Sequence, residues 1–301
     1  MRWNDHFKLA GHRFDYGISA TLGDYKSKIT KFNNPDKLIS DYYEGMTLGE
    51  IWGYKVEGLF SSDEEAAAYQ AKINDKAVNQ RVYNSKVDNH LMAGDVKFID
   101  VNGDNVINEG SGTVDDPGDK SVIGNSLPRY SYSFRLDASY RGFDFSAFFQ
   151  GVGKCDWFPT TYAYDFWGPY SFPSLSFIHK DFMDNCWSED NPGGYFPRPR
   201  GYQSYSGGSL SVPTDRYLQN AAYLRLKNLT IGYTLPLKST KIFQSIRVYF
   251  TGENLWYTSP MKKYCKTVDP ELANTSGTYN SGSGVGYGYS KSFSFGVDVK
   301  F

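Results

Sequence analysis

The sequence is poor in most of the features that reveal a protein's work. Its 301 residues hold three cysteines, Cys155, Cys186 and Cys265, and no CxxC, which excludes a thiolate metal site. Cys155 and Cys186 could bridge across a long loop in an oxidising compartment, but unpaired thiols are the better reading. The four histidines, His6, His12, His90 and His179, are scattered, and there is no HExxH, GxSxG, P-loop or strand-linked GxGxxG. The abundant Asp and Glu show no spacing that singles out a glycosidase pair. No catalytic residue is therefore expected. A net charge of −1 gives no basic field, which argues against nucleic acid as a partner. No apolar run approaches the roughly 18 residues of a spanning helix. The N-terminal MRWNDHFKLAGHRFDYG lacks the apolar core of a signal peptide. The sequence thus reads either as a chain without a leader or as the tail of something longer.

What the chain does have is aromatic side chains. With 25 Tyr and 21 Phe they make up 17% of the residues, while mean hydropathy is −0.53. A chain that is aromatic yet polar on average suits two-faced β-strands. The alternation is explicit. HRFDYGISATL puts Phe14, Tyr16, Ile18, Ala20 and Leu22 on one face. RYSYSFRLDASY does the same with Tyr130, Tyr132, Phe134, Leu136, Ala138 and Tyr140. Arg141-Gly142 then reads as a tight turn, and FDFSAFFQG returns with Phe143, Phe145, Ala147 and Phe149. LTIGYTL, SIRVYFTGENLW and the terminal SFSFGVDVKF repeat the pattern. In SSDEEAAAYQAKI, Ser62 and Glu65 form a capping box that predicts one short surface helix.

A soluble sandwich alternates in this way, and so does a membrane barrel. Two features favour the barrel. Tyr130 and Tyr140 bracket a strand as interface girdles do, and minimal turns alternate with long connections such as the stretch between Gly151 and Tyr223.

Two candidate sites stand out. In DVNGDNVIN, Asp100, Asn102, Asp104, Val106 and Asn108 fall at alternating positions of a calcium loop. Position 6 is Asn105 rather than Gly, and position 12 is Ser111 rather than Glu, so Glu109, Asp115, Asp116 or Asp119 would have to supply the missing carboxylate. The competing interpretation is a polar turn without an ion. The second candidate is CDWFPTTYAYDFWGPYSF, where Trp157, Phe158, Tyr162, Tyr164, Trp167 and Tyr170 offer faces for a substrate or partner, or a core for the loop itself.

Several stretches taken together resemble one family: LGEIWGYKVEGLFSSDEEAAAY, GDVKFIDVNGDNVIN, DPGDKSVIGNSLPRYSYSFRLDASYRGFDFSAFFQGVGK, DNPGGYFPRP, TDRYLQNAAYLRLKNLTIGYTLP, IRVYFTGENLW and the terminal SFSFGVDVKF. They look like the C-terminal part of the SusC/RagA family of TonB-dependent outer-membrane transporters of the Bacteroidetes, from about residue 13 to the end. The resemblance implies an all-β fold. Residues 1–301 would be a single segment of about seven or eight antiparallel strands, the C-terminal part of a plugged barrel of about 22 strands. Signal peptide, N-terminal extension and plug would lie upstream. It implies uptake of oligosaccharides or peptides, energy through the TonB complex, a SusD-like lipoprotein as lid, and a location in outer-membrane lipid. Long loops at 24–50, 61–94, 100–125, 151–222 and 257–290 would face outside. Phe293, Phe295, Val297, Val299 and Phe301 would be the signal read by the barrel-assembly machinery. The alternative is a soluble β-sandwich carbohydrate-binding module.

Overall fold

The computed structural model describes residues 1–80, 90–172, 174–176, 178–205, 208–237, 242–274, 284 and 286–301. Parts of the expected loops 61–94, 151–222 and 257–290 lie outside the described residues. In chain order the strands are β1 (Arg2–Leu9), β2 (His12–Gly23), β3 (Glu50–Tyr54), β4 (Val56–Leu59), β5 (Val96–Phe98), β6 (Lys120–Asn125), β7 (Arg129–Tyr140), β8 (Phe143–Lys154), β9 (Asp156–Trp157), β10 (Gln219–Asn220), β11 (Tyr223–Thr234), β12 (Ser245–Thr258) and β13 (Ser292–Lys300). Seven of them form one antiparallel sheet, the wall, in the order β1-β2-β7-β8-β11-β12-β13. The others pair in twos, β3 with β6, β4 with β5 and β9 with β10, inside the connections.

The register aligns the alternating residues across the wall. One row runs Asp5, Tyr16, Ala138, Phe145, Ile231, Phe250, Phe295. The row beside it, on the opposite face, runs His6, Asp15, Ser139, Asp144, Gly232, Tyr249, Gly296. A slip of one residue would exchange the two faces, so the pattern fixes the pairing. The apolar face is open: Phe143 is 57% exposed and Phe295 84%. A soluble sandwich would bury that face under a second sheet. The seven strands lie instead in a single sheet, and the sandwich alternative is not the fold.

Two hairpin turns have both central residues in the left-handed region, Ala10-Gly11 at φ 47° and 78° and Arg141-Gly142 at 50° and 88°. This is the geometry whose twist matches that of antiparallel strands. The strand β1 begins the wall earlier than the resemblance from residue 13 suggests. Its alternation, Trp3, Phe7 and Leu9, is broken by Asp5, which hid it. Between Leu226 and Asn228 the ladder shifts register at Lys227, and Asn254 opposite lies at φ 50°. That bulge moves Leu226 and Leu224 onto the apolar face beside Phe149 and Gly151, a change of phase that alternation from Leu229 onward does not show.

All three long connections, 24–128, 155–222 and 259–291, leave the same end of the wall. The dry core sits here. Phe60, Phe98, Ile107, Trp157, Phe166, Trp167, Leu210 and Tyr217 are among its fully enclosed side chains, whereas the wall contributes only Ala147 and Tyr223 to the buried apolar set among the described residues. The helix α1 (Asp63–Lys72) starts at Ser62, whose Oγ accepts the Glu65 N–H at 3.2 Å. The reciprocal bond reaches one residue further back than a capping box implies: Glu65 Oε2 accepts from the N–H and Oγ–H of Ser61, at 2.8 and 2.6 Å. A one-turn helix, α2 (Tyr164–Trp167), packs the aromatic segment.

Candidate functional site: a polar trough and its loop layer

Polar residues at every second position give the wall's other face a trough of about 1040 Å³. Charges are paired along it. Arg13 meets Asp15 at 2.7 Å on β2, and Arg135 meets Asp137 at 2.9 Å on β7. Arg247 on β12 reaches across β11 to Asp144 on β8, with bonds of 2.7 and 2.8 Å, and also contacts Asp298 on β13 at 3.2 Å. That span needs Gly232 beneath it, because a Cβ there would lie 2.5 Å from Asp144 Oδ1 and 2.6 Å from Arg247 Nη2. The Thr21 and Ser133 hydroxyls bond at 2.6 Å, and those of Thr230 and Thr251 at 3.3 Å. A wet face of paired charges and hydroxyls suits a hydrophilic solute or a polar protein surface.

At the loop end the trough meets a charged knot. Arg225, buried on β11, bonds Asp269 at 2.5 Å and lies 3.5 Å from Glu271, which also takes Lys227 at 2.7 Å. Its guanidinium lies over the rings of Tyr257 and Tyr289 at 4.6 and 5.1 Å. Pairing and ring contact are what allow such a charge to be enclosed. The knot ties the 259–291 connection to the wall. Sequence reasoning passed over it. The available signal was the pair Arg225 and Lys227, two apart on a strand, but their carboxylates arrive from more than 40 residues away.

The first two connections are locked together around the turn Met92–Asp95. Asp95 Oδ2 accepts the Met92 N–H and an Arg200 N–H, both at 2.9 Å. Arg198 Nε donates to Ala93 O at 2.8 Å while its guanidinium covers Trp187 at 4.7 Å. Gly94, at φ 83°, lets the Trp187 ring close in, since a Cβ there would sit 2.4 Å from it. Burial pushes the Asp95 carboxyl up to about 6 against the downward pull of Arg200, and burial pushes Asp75 up to about 6 as well.

The aromatic candidates separate into two groups. Trp157, Trp167 and Tyr170 are enclosed, and Phe158 and Tyr164 are half-buried. The first three are the core of the loop layer: Trp167 packs edge-on to Phe166 at 4.8 Å, and Tyr170 stacks on Phe196 at 5.9 Å. As a binding surface these three are corrected, because rings of this size must be covered for so long a connection to hold a shape. Tyr162, 38% exposed, leads instead into a string at the rim. Tyr162 touches Tyr164 at 6.2 Å, Tyr164 touches Phe172 at 6.2 Å, and Phe172 touches Tyr205 at 4.6 Å. Sequence reasoning missed Tyr205, which lies outside the quoted segment.

The calcium-like loop holds its shape through its own side chains. Asp100 accepts the N–H groups of Gly103 and Asn105 at 2.7 and 2.9 Å, and Asp104 accepts that of Val106 at 2.7 Å. Asn105 is left-handed at φ 63°, as the loop's sixth position requires. Of the four further carboxylates considered, Asp119 closes the loop, accepting from Val101 and Asn108 at 2.7 and 2.9 Å. Among the described residues no three His, Cys, Asp or Glu side chains gather as a metal centre. The three cysteines are all free and buried, so Cys155 and Cys186 do not pair. Cys186 Sγ lies instead 3.3 Å from the Tyr170 hydroxyl, which donates to Pro197 O at 2.6 Å. Phe293, Phe295, Val297 and Val299 line the apolar side of β13, and Phe301 follows it, 5.4 Å from Phe243.

No family model matches the chain. Among curated proteins it is 26% identical over 291 residues to TonB-dependent receptor P26 of Formosa agariphila, covering 90% of this chain and 26% of that one. It is 25% identical over 265 residues to TonB-dependent receptor P3 of the same organism, covering 82% of this chain and 22% of that one. The chain thus spans about a quarter of the length of these relatives. Among solved structures, that of the RagAB peptide transporter superposes with TM-score 0.58 at 19% identity, over all of this chain and 28% of that one. The RagAB peptide importer in its closed-closed state gives 0.56 at 17% identity, over all of this chain and 29% of that one. Sequence kinship and wall architecture therefore agree with the resemblance read from the motifs: the chain is similar in sequence to curated TonB-dependent receptors and in fold to part of the RagAB transporter.

Proposed function

We propose that residues 1–301 form the C-terminal wall and part of the extracellular loop layer of an outer-membrane importer of oligosaccharides or peptides. The observation that carries this is the inverted sheet: apolar rows face outward without cover, polar rows line a trough, and the dry core is confined to one end. Lipid tails would take the outer face, because it matches the band of a membrane barrel. Energy would come through the TonB complex, contacted by parts of the receptor outside this chain. A SusD-like lipoprotein would close over the loop layer, and the Tyr162, Tyr164, Phe172 and Tyr205 string would meet cargo or that lid. The alternating Phe293, Phe295, Val297, Val299 and Phe301 would be read by the barrel-assembly machinery. We also propose calcium as the ion of the 100–108 loop, on the strength of the left-handed Asn105 and the alternating oxygens of Asp100, Asn102 and Asp104.

The decisive experiment places the full-length receptor gene in a host with and without a working TonB and follows labelled oligosaccharides and peptides. TonB-dependent accumulation of one class, with the receptor in the outer-membrane fraction, is expected. A receptor recovered as a monomer from the soluble fraction without detergent would overturn the assignment.

A further inference from the structure

The outer face of the wall carries one acidic side chain among the described strand residues, and it stands in a row that crosses all seven strands and passes close to the Arg141-Gly142 turn on β7 and β8. Asp5 occupies the position that Tyr16, Ala138, Phe145, Ile231, Phe250 and Phe295 fill on the other strands. Its described hydrogen bond is local, from the His6 N–H to Oδ1 at 2.7 Å, and among the described residues no cation pairs with it. A bare carboxylate on a face that meets hydrocarbon is unfavourable, and ionisable groups there are characteristically paired.

Its surroundings are those of a cation site. Trp3, Phe7 and Tyr16 flank it on the same face, with Trp3 edge-on to Tyr16 at 5.3 Å, Phe7 on Phe14 at 4.9 Å and Phe7 on Tyr16 at 6.0 Å. On the trough face and at the loop end of the wall the same chemistry appears complete. Arg247 pairs with Asp144 and lies over Tyr249 at 4.8 Å, and Arg129 pairs with Asp24 and lies over Tyr130 at 5.1 Å. At Asp5 the carboxylate and the rings are present, and among the described residues no cation meets them. Among the described strands β1 is also an edge, bonded to β2 alone.

We propose that Asp5, Trp3, Phe7 and Tyr16 receive a lysine or arginine side chain from the strand that pairs with the free edge of β1, so that this patch of the outer face is closed by an ion pair rather than wetted by lipid. This rests on the wall being a membrane barrel that continues past β1. The pair would fix which strand, and in which register, joins that edge, since neither a carboxylate nor an ammonium is stable there alone.

The test uses the full-length receptor in lipid vesicles and the sign of a stability change. Asp5→Asn, Asp5→Leu and Asp5→Lys should lower the thermal midpoint in that order of severity, because each leaves the partner cation less well met. If Asp5 instead faces lipid, Asp5→Leu should raise the midpoint, and that result overturns the proposal. A nitroxide on Asp5→Cys should be shielded from a lipid-soluble relaxant, while one on Ile231→Cys is reached; equal access at both positions also overturns it. Ile231→Arg tests the membrane wall separately. If that variant is as stable as the parent, the wall assignment fails and the proposal falls with it, whatever Asp5 does.

Discussion

The wall and the loop layer of this molecule obey opposite rules. In the wall, large apolar side chains such as Phe145 and Ile231 stand open while Arg247 and Asp144 pair on the trough side. In the loop layer the arrangement is that of a soluble protein, with Trp157, Trp167, Phe196 and Tyr217 enclosed and buried acids such as Asp95 and Asp119 held by an arginine or by backbone N–H groups. On the membrane reading proposed above, the difference teaches that one composition can serve two solvents. A strand satisfies its backbone through its neighbours and can turn its greasy row to hydrocarbon. An irregular connection cannot, and must build a dry core of its own to be ordered.

The comparison can be broken most strongly in the loop layer. Phe196→Ala, which removes a ring shared by Tyr170, Phe182 and Tyr217, should cost about 3–5 kcal/mol of loop-layer stability. Hydrogen exchange should show the loss in the loops and leave wall amides protected. Next comes Ile231→Arg, which should cost about 2–4 kcal/mol of membrane-folded stability in a urea titration in vesicles. The same change at Thr230, one residue away on the trough face, should cost far less. The layers should also respond differently to pH. Burial raises Asp95 and Asp75 to about 6, so their protonated forms favour the folded loops. That contribution is complete below about pH 4, is lost as pH rises through 6, and for one such group amounts to roughly 2–3 kcal/mol. Loop-layer protection should therefore fall between pH 4 and 7, and Asp75→Asn with Asp95→Asn should flatten the slope. A smaller effect is expected from Gly232→Val, which should unseat the Arg247–Asp144 bridge at about 1–3 kcal/mol, read as a drop in the wall's thermal midpoint. Smallest is calcium, which should raise the loop-layer midpoint slightly through Asp100 and Asp104; an unchanged midpoint would show that the N–H bonds of that turn suffice.

Much of the wall was legible because strand periodicity is local. The apolar faces of single strands, such as Phe14, Tyr16 and Ile18 or Phe143, Phe145 and Ala147, and the turn at Arg141-Gly142 could be written down from the sequence and appear as written, whereas the register that joins them into rows came from the structure. Legibility failed where a single residue interrupts the period. Asp5 concealed β1, and the bulge at Lys227 reversed the phase of Leu224 and Leu226. The loop layer was the harder part. An aromatic-rich segment reads equally well as a binding surface or as a core, and only packing sends Trp167 inward and leaves Tyr162 at the rim.

The sequence by itself determined that the chain would be β, two-faced and long-looped, since those properties follow from side-chain period, turn chemistry and spacing. Tertiary structure alone decided which charges meet, Arg225 with Asp269, Arg200 with Asp95 and Arg247 with Asp144, and which aromatics are hidden. The physical reason is one of range. Periodicity acts between neighbours in the chain, whereas these contacts join residues from about 40 to more than 100 positions apart, and their partners are fixed only when register and loop packing bring them together.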